Sequence, residues 1–114
     1  MKSFDHEKLD VYKIAIQFVA FADPLCGNLP SGRAYLADQL RRASSSIVLN
    51  IAEGAGEFAQ NEKMRFYRMA RRSATECAGI LDVMEVLGHE KEHLLRGKKT
   101  LLRCVGTLTK LICR

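Results

Sequence analysis

The sequence predicts an all-α protein, an antiparallel up-and-down four-helix bundle, with residues 1–114 as one domain. Three observations carry that reading. Apolar residues recur three and four positions apart through four successive stretches, and nowhere do they alternate as in a strand. Glycine- and proline-bearing breaks separate the stretches at Gly27–Ser31, Gly54–Gly56 and Gly88. The composition, 47% hydrophobic and 27% charged with two prolines and no tryptophan, favours helix in a water-soluble core of modest size.

The first helix is expected over Glu7–Leu25. Val11, Ile14, Ala15, Phe18, Ala22 and Leu25 make one apolar face, and Leu9, Tyr12, Ile16 and Val19 make a second. Asp10, Lys13 and Gln17 are confined to the remaining strip. Gly27 is the expected left-handed stop, and Pro30 blocks simple continuation. The second helix runs from about Gly32 to Glu53. The third runs from about Asn61 to Leu87, with Phe66, Met69, Ser73, Cys77, Ile80, Met84 and Leu87 as its core face and Tyr67, Ala74 and Ala78 as a minor outer strip. The fourth runs from Glu90 or Glu92 to the C-terminus with Leu94, Leu101, Val105, Leu108 and Ile112 inward.

The second helix carries a polar stripe, Gln39, Arg42, Ser46, Asn50 and Glu53, beside the apolar row Leu36, Leu40, Ala43, Ile47 and Ile51. Val48, Leu49 and Ala52 cover most of the far side, so the helix reads as buried nearly all round and its polar stripe as internal. Buried polar groups need partners. The third helix offers Ser73 and Glu76, so the expected network pairs Arg42 with Glu76 and bonds Ser46 and Asn50 to Ser73 or backbone. No nucleophile–base pair or general-acid histidine accompanies these groups. The stripe therefore reads as a structural lock, and no catalytic residue is assigned.

Residues 89–93, HEKEH, match the zinc-hydrolase pattern H-E-x-x-H. They open a helix immediately after Gly88, their flanks are charged, and the only other histidine is His6. No third ligand follows, so neither a metal nor another cofactor is expected. The four cysteines, at positions 26, 77, 104 and 113, show no CxxC spacing and fall in apolar helical patterns, which suits reduced thiols in the cytoplasm. The polar N-terminus does not resemble a signal peptide, and no apolar run is long enough to span a membrane.

Charge is unevenly placed. Residues 1–57 hold 6 basic and 7 acidic groups, net −1, whereas residues 58–114 hold 12 basic and 6 acidic, net +6. The third helix opens with Lys63, Arg65, Arg68, Arg71 and Arg72 and no acid among them. On the fourth, Arg96, Arg103 and Lys110 recur every seven residues, flanked by Lys99 and Arg114. Lys63, Arg68, Arg71, Arg72, Arg96, Lys99, Arg103 and Lys110 are the candidate phosphate contacts. With Tyr67 the one aromatic near the third-helix cluster, binding would be sequence-tolerant and salt-sensitive. The second face of the first helix, with Val48, Leu49 and Ala52, exceeds what one bundle should bury and points to self-association.

The stretches QLRRASSSIVLNIAEG (residues 39–54) and RFYRMARRSATE (residues 65–76), with a preceding Leu-Pro and the opening LDVYKIA, resemble the four-helix-bundle proteins encoded within insertions of 23S ribosomal RNA genes, the intervening-sequence proteins. Those are similar to the accessory proteins that partner reverse transcriptases in diversity-generating retroelements. The resemblance implies a homopentameric barrel and a basic surface directed at nucleic acid. Where the family usually has a basic residue after the AEG turn, this chain has Glu57-Phe58. The resulting expectation is a non-enzymatic, cytoplasmic homo-oligomer that binds RNA or DNA through basic helix faces. The alternative is a scaffold for an acidic protein or for a nucleic-acid enzyme such as a reverse transcriptase.

Overall fold

Four helices, α1 (Asp10–Gly27), α2 (Ala34–Ala55), α3 (Gln60–Val86) and α4 (Lys91–Ile112), follow one 3-10 turn, Asp5–Lys8, in a computed structural model that describes residues 3–113. Arg114, grouped above with the basic residues of the fourth helix, lies outside the described residues. No strand occurs among the described residues, and none of their helices is long and apolar enough to cross a membrane.

Local chemistry sets the ends. Leu9 is extended and the true helix starts at Asp10, because the preceding Asp-His-Glu-Lys closes as a 3-10 turn instead. Asn28 ends α1 by donating from Nδ2 to the Pro24 carbonyl at 2.8 Å. Gly27, expected to be left-handed, is helical; the positive φ in this connection belongs to Gly32, at 92°. Gly88, with φ 99°, closes α3 as expected: its N–H donates to the Glu85 carbonyl and that of His89 to the Met84 carbonyl, the two bonds of a Schellman stop.

Each helix packs on its two neighbours in chain order, and α4 returns against α1, so the four form a closed square. Neighbours run antiparallel. Between α3 and α4, Asp82 pairs with Lys98 and Arg71 with Thr109, one index rising as the other falls. Between α2 and α3, Ser46 meets Ser73 and Gly54 meets Tyr67. Between α1 and α2, the Cys26 thiol donates to the Ala37 carbonyl, and Asp23 sits beside Arg41. Phe18, Leu40, Ile47, Ile51, Leu81, Met84, Leu94, Leu101 and Leu108 fill the centre. Each such side chain contributes about 1.5–3 kcal/mol by leaving water.

The inward face of α3 differs from the expected one. Tyr67, Ala70, Ala74, Cys77, Leu81 and Met84 are buried with Ile80, whereas Phe66 is half-buried and Met69 exposed. The first half of the helix is therefore turned by one residue. Side-chain size favours Phe66 and Met69, but small Ala70 and Ala74 let two backbones approach. The Arg65 guanidinium lies over the displaced Phe66 ring, 4.5 Å from its centroid. On α4, Gly97 and Cys104 join the expected Leu94, Leu101 and Leu108 inside, and Val105 and Ile112 are half-buried.

The surplus apolar faces are largely covered within one chain. Val48 is buried, Ala52 half-buried, and Tyr12 and Val19 of α1, with Leu9 just before it, pack on the core. Ile16 and Leu49 stay exposed. The square geometry explains this: each helix turns two adjacent arcs toward two neighbours, and only the outermost arc faces solvent.

Gly97 marks the tightest seam. A Cβ there would collide with the Phe21 ring, lying 2.7 Å from Cζ, and would sit 3.1 Å from Leu81 Cδ1. Phe21 itself makes tilted ring contacts with Phe18 and His93. Gly97→Ala is expected to lower stability by about 1–2 kcal/mol in urea unfolding, overpacking outweighing the gain in helix propensity. Burial pushes the Cys77 thiol up to about 12, aided by the nearby Glu76 charge, and that of Cys104 up to about 11; Cys26 is raised for the same main reason. With only Cys113 exposed, a native thiol titration at pH 8 should count one reactive group, and denaturant should release the other three.

Candidate nucleic-acid interface

The polar stripe of α2 is internal only in its middle, where Asn50 is buried and Ser46 half-buried. Gln39, Arg42 and Glu53 are exposed, as is Glu76 of α3, and no Arg42–Glu76 ion pair occurs among the described residues. Val48, Leu49 and Ala52 do not close the circumference of α2, because Leu49 is 59% exposed, and the stripe sits on the α3 side of that open arc. The middle of the expected network does form. Ser73 Oγ donates to Ser46 Oγ at 2.9 Å, and Asn50 Nδ2 donates to the Ser46 hydroxyl and carbonyl at 3.0 and 2.9 Å. These groups line the bottom of an open polar groove between α2 and α3, with Met69, Arg72 and Glu76 at its rim.

Two of the eight candidate phosphate contacts are structural. Lys63 is half-buried, and its Nζ donates to the carbonyls of Gly54 and Ala55 at 2.9 and 3.1 Å. It thus caps the C-terminus of α2, placing a cation at the negative end of that helix dipole. Arg71 lies half-buried between α3 and α4, with Nη1 donating to Thr109 Oγ1 at 3.3 Å. Arg65 is likewise engaged: Glu62 accepts its Nε and Nη2 hydrogens, and this bond holds the Glu62 carboxyl below its usual range.

The other six, Arg68, Arg72, Arg96, Lys99, Arg103 and Lys110, are exposed, and none of their side chains has a hydrogen-bond or ion-pair partner among the described residues. They do not form one surface. Arg68 and Arg72 lie outward on α3. Arg103 and Lys110 line an open groove of about 710 Å³ between α1 and α4, opposite Asp10, Lys13, Ile14 and Gln17 and beside Gly106 and Thr107. Lys13 was absent from the candidate set, although the narrow strip Asp10–Lys13–Gln17 in the sequence is the α1 wall of this groove. Lys98, the basic neighbour of Lys99, is held at 2.6 Å by Asp82, whose carboxylate raises its affinity for the proton.

The groove lining includes an exposed glycine, Gly106, with no packing reason to be one. An exposed mid-helix glycine weakens a helix by about 1 kcal/mol relative to alanine. At Gly54 and Gly97 the close approach of Tyr67 and Phe21 explains the choice, but a Cβ on Gly106 would meet nothing within 4 Å. Gly79, also in mid-helix on α3, is open in the same way.

The HEKEH stretch does not present two imidazoles on successive turns. His89 precedes α4, and His93 lies within it, its ring 4.9 Å from that of Phe21. No group of three His, Cys, Asp or Glu side chains suited to a metal occurs among the described residues.

A family model described as 23S rRNA-intervening sequence protein matches residues 7–110. Among solved structures, a crystal structure of a protein of unknown function from the S23 ribosomal protein family of Bacteroides thetaiotaomicron VPI-5482 superposes with a TM-score of 0.85 at 17% identity, covering 91% of this chain and 99% of that one. At that identity the likeness concerns the fold. No curated protein matches the chain.

Removing the cap with Lys63→Met should lower stability by about 1–2 kcal/mol, because two terminal carbonyls lose a charged donor. Arg42→Met should change stability by no more than about 0.5 kcal/mol, as for other exposed sites. Urea melts of the two variants read both effects; a severe loss for Arg42→Met would restore the internal network.

Proposed function

The chain belongs to the 23S rRNA-intervening sequence protein family, and from that premise we propose that it is a non-catalytic binder of RNA or DNA that grips phosphates through basic helix faces. The observation that carries this reading is that Arg68, Arg72, Arg96, Lys99, Arg103 and Lys110 are exposed and unpaired among the described residues. Unpaired surface cations keep their full field for a polyanion, whereas Lys63, Arg65, Arg71 and Lys98 are partly used by the fold. A non-catalytic role agrees with buried thiols held protonated and with the His6 and His93 imidazoles packed against the rings of Tyr12 and Phe21. Sparse aromatic exposure near the cations argues for backbone contacts over base reading.

Self-association belongs to the same reading. Leu49, Tyr35 and Met69 stay exposed on α2 and α3, and copies assembled side by side would sum their basic fields. A ring of five is what the family resemblance implies. A second reading, a scaffold for an acidic protein, is favoured by one feature: Leu95 and Leu102, the latter 71% exposed, share the outer side of α4 with Lys99. Such a face suits an amphipathic acidic helix.

Light scattering should give a mass near five times 12.8 kDa. On the same sample, gel shifts with unrelated RNA and DNA should weaken about tenfold or more between 50 and 200 mM salt. Absence of a shift at low salt sinks the nucleic-acid reading. Capture of an acidic protein that survives high salt would support the scaffold instead.

A further inference from the structure

We propose that the groove between α1 and α4 is the seat of a single nucleic-acid strand, with Lys13, Arg103 and Lys110 holding its phosphates over Gly106. The inference rests on the nucleic-acid reading and narrows it to one of the two basic surfaces. Arg103 and Lys110 are seven residues apart on one face of α4, so about 10 Å of helix separates them, and Arg96 continues the row by a similar step. Lys13 faces them across the groove from α1. Cations on both walls can neutralise both sides of one backbone. Arg68 lies outward on α3, and the α2–α3 groove that Arg72 borders has no second cation in its lining and carries Glu76 beside it.

The width selects the ligand. Packed helices lie about 8–10 Å apart, so the furrow between their surfaces is too narrow for a duplex to enter, whereas one sugar–phosphate backbone can lie in it. Gly106 adds an independent argument. It stands in mid-helix with nothing within 4 Å of its missing Cβ, and the fold gains nothing from that space. Gly106 belongs to the groove lining and is exposed, so its bare backbone is open to a strand lying there. No aromatic side chain lines the groove, so bases would point outward unread, and RNA and DNA strands would be held by shared chemistry. Asp10 is the one carboxylate in the lining and opposes the ligand.

The test is fluorescence anisotropy of the full chain with a labelled 20-nucleotide mixed-sequence strand, as RNA and as DNA, and with the matching duplex, across a salt series. The R103Q/K110Q double variant should lower the magnitude of the log–log salt slope by about 1.4, two single-strand contacts. Gly106→Leu changes no charge and should weaken binding at least tenfold while leaving the melting temperature unchanged or higher. Asp10→Asn should tighten binding several-fold, a gain that misfolding cannot mimic. R68Q/R72Q, on the other basic surface, should weaken binding less than R103Q/K110Q does. If wild type binds and the groove variants bind like it while R68Q/R72Q fails, or if the duplex binds more tightly than the strand, the groove assignment is overturned and the broader reading stands. If wild type binds none of the three probes, the broader reading falls and this one with it.

Discussion

The close approach of α2 and α3 at Gly54 is the constraint on which the rest of the arrangement depends. A Cβ at Gly54 would lie 2.8 Å from Tyr67 Cε1 and 3.1 Å from Phe66 Cβ. With no side chain there, the Tyr67 ring packs directly on the α2 backbone and turns inward. Lys63, one turn earlier on α3, then reaches the last carbonyls of α2. Two turns later Ser73 meets Ser46. One glycine thus lets packing, capping and a side-chain hydrogen bond agree on a single register, and agreement among levels is what makes a fold specific.

That register also decides what solvent sees. With Tyr67, Ala70 and Ala74 inward, Arg68 and Arg72 must point out and Arg71 must lie on the α4 seam. The same logic operates across the bundle, where Gly97 admits Phe21 between α1 and α4. Leu94, Leu101 and Leu108 then face the core, and Arg103 and Lys110 fall beside Lys13. The two basic surfaces are consequences of where two glycines let helices touch.

The cations consequently divide into two kinds. Lys63, Arg65, Arg71 and Lys98 each satisfy an acceptor or cap within the bundle, and Glu62 and Asp82 partly neutralise Arg65 and Lys98 there. Arg68, Arg72, Arg96, Lys99, Arg103 and Lys110 have no such task among the described residues. Net charge cannot separate the kinds, since every one of them counts +1 in a composition.

Four helices, their approximate ends and most of the core were legible in residue order, because a 3.6-residue period and glycine or proline breaks are local signals. Phe18, Ile47, Leu101 and Leu108 were assignable to the interior on that basis, and Arg68, Arg72, Arg96, Lys99, Arg103 and Lys110 were all legible as candidate phosphate contacts. The sequence by itself could not say which of two plausible faces of α3 turns inward, because Phe66 and Met69 outweigh Ala70 and Ala74 in hydrophobicity while losing to them in fit. Nor could it place Arg42, Glu53 and Glu76 at the surface, since exposure depends on how many neighbours a helix has and on which sides. Only the tertiary structure joined Lys13 to Arg103 and Lys110, residues about 90 positions apart in the chain: adjacency across two antiparallel helices is a property of packing and leaves no trace in local periodicity.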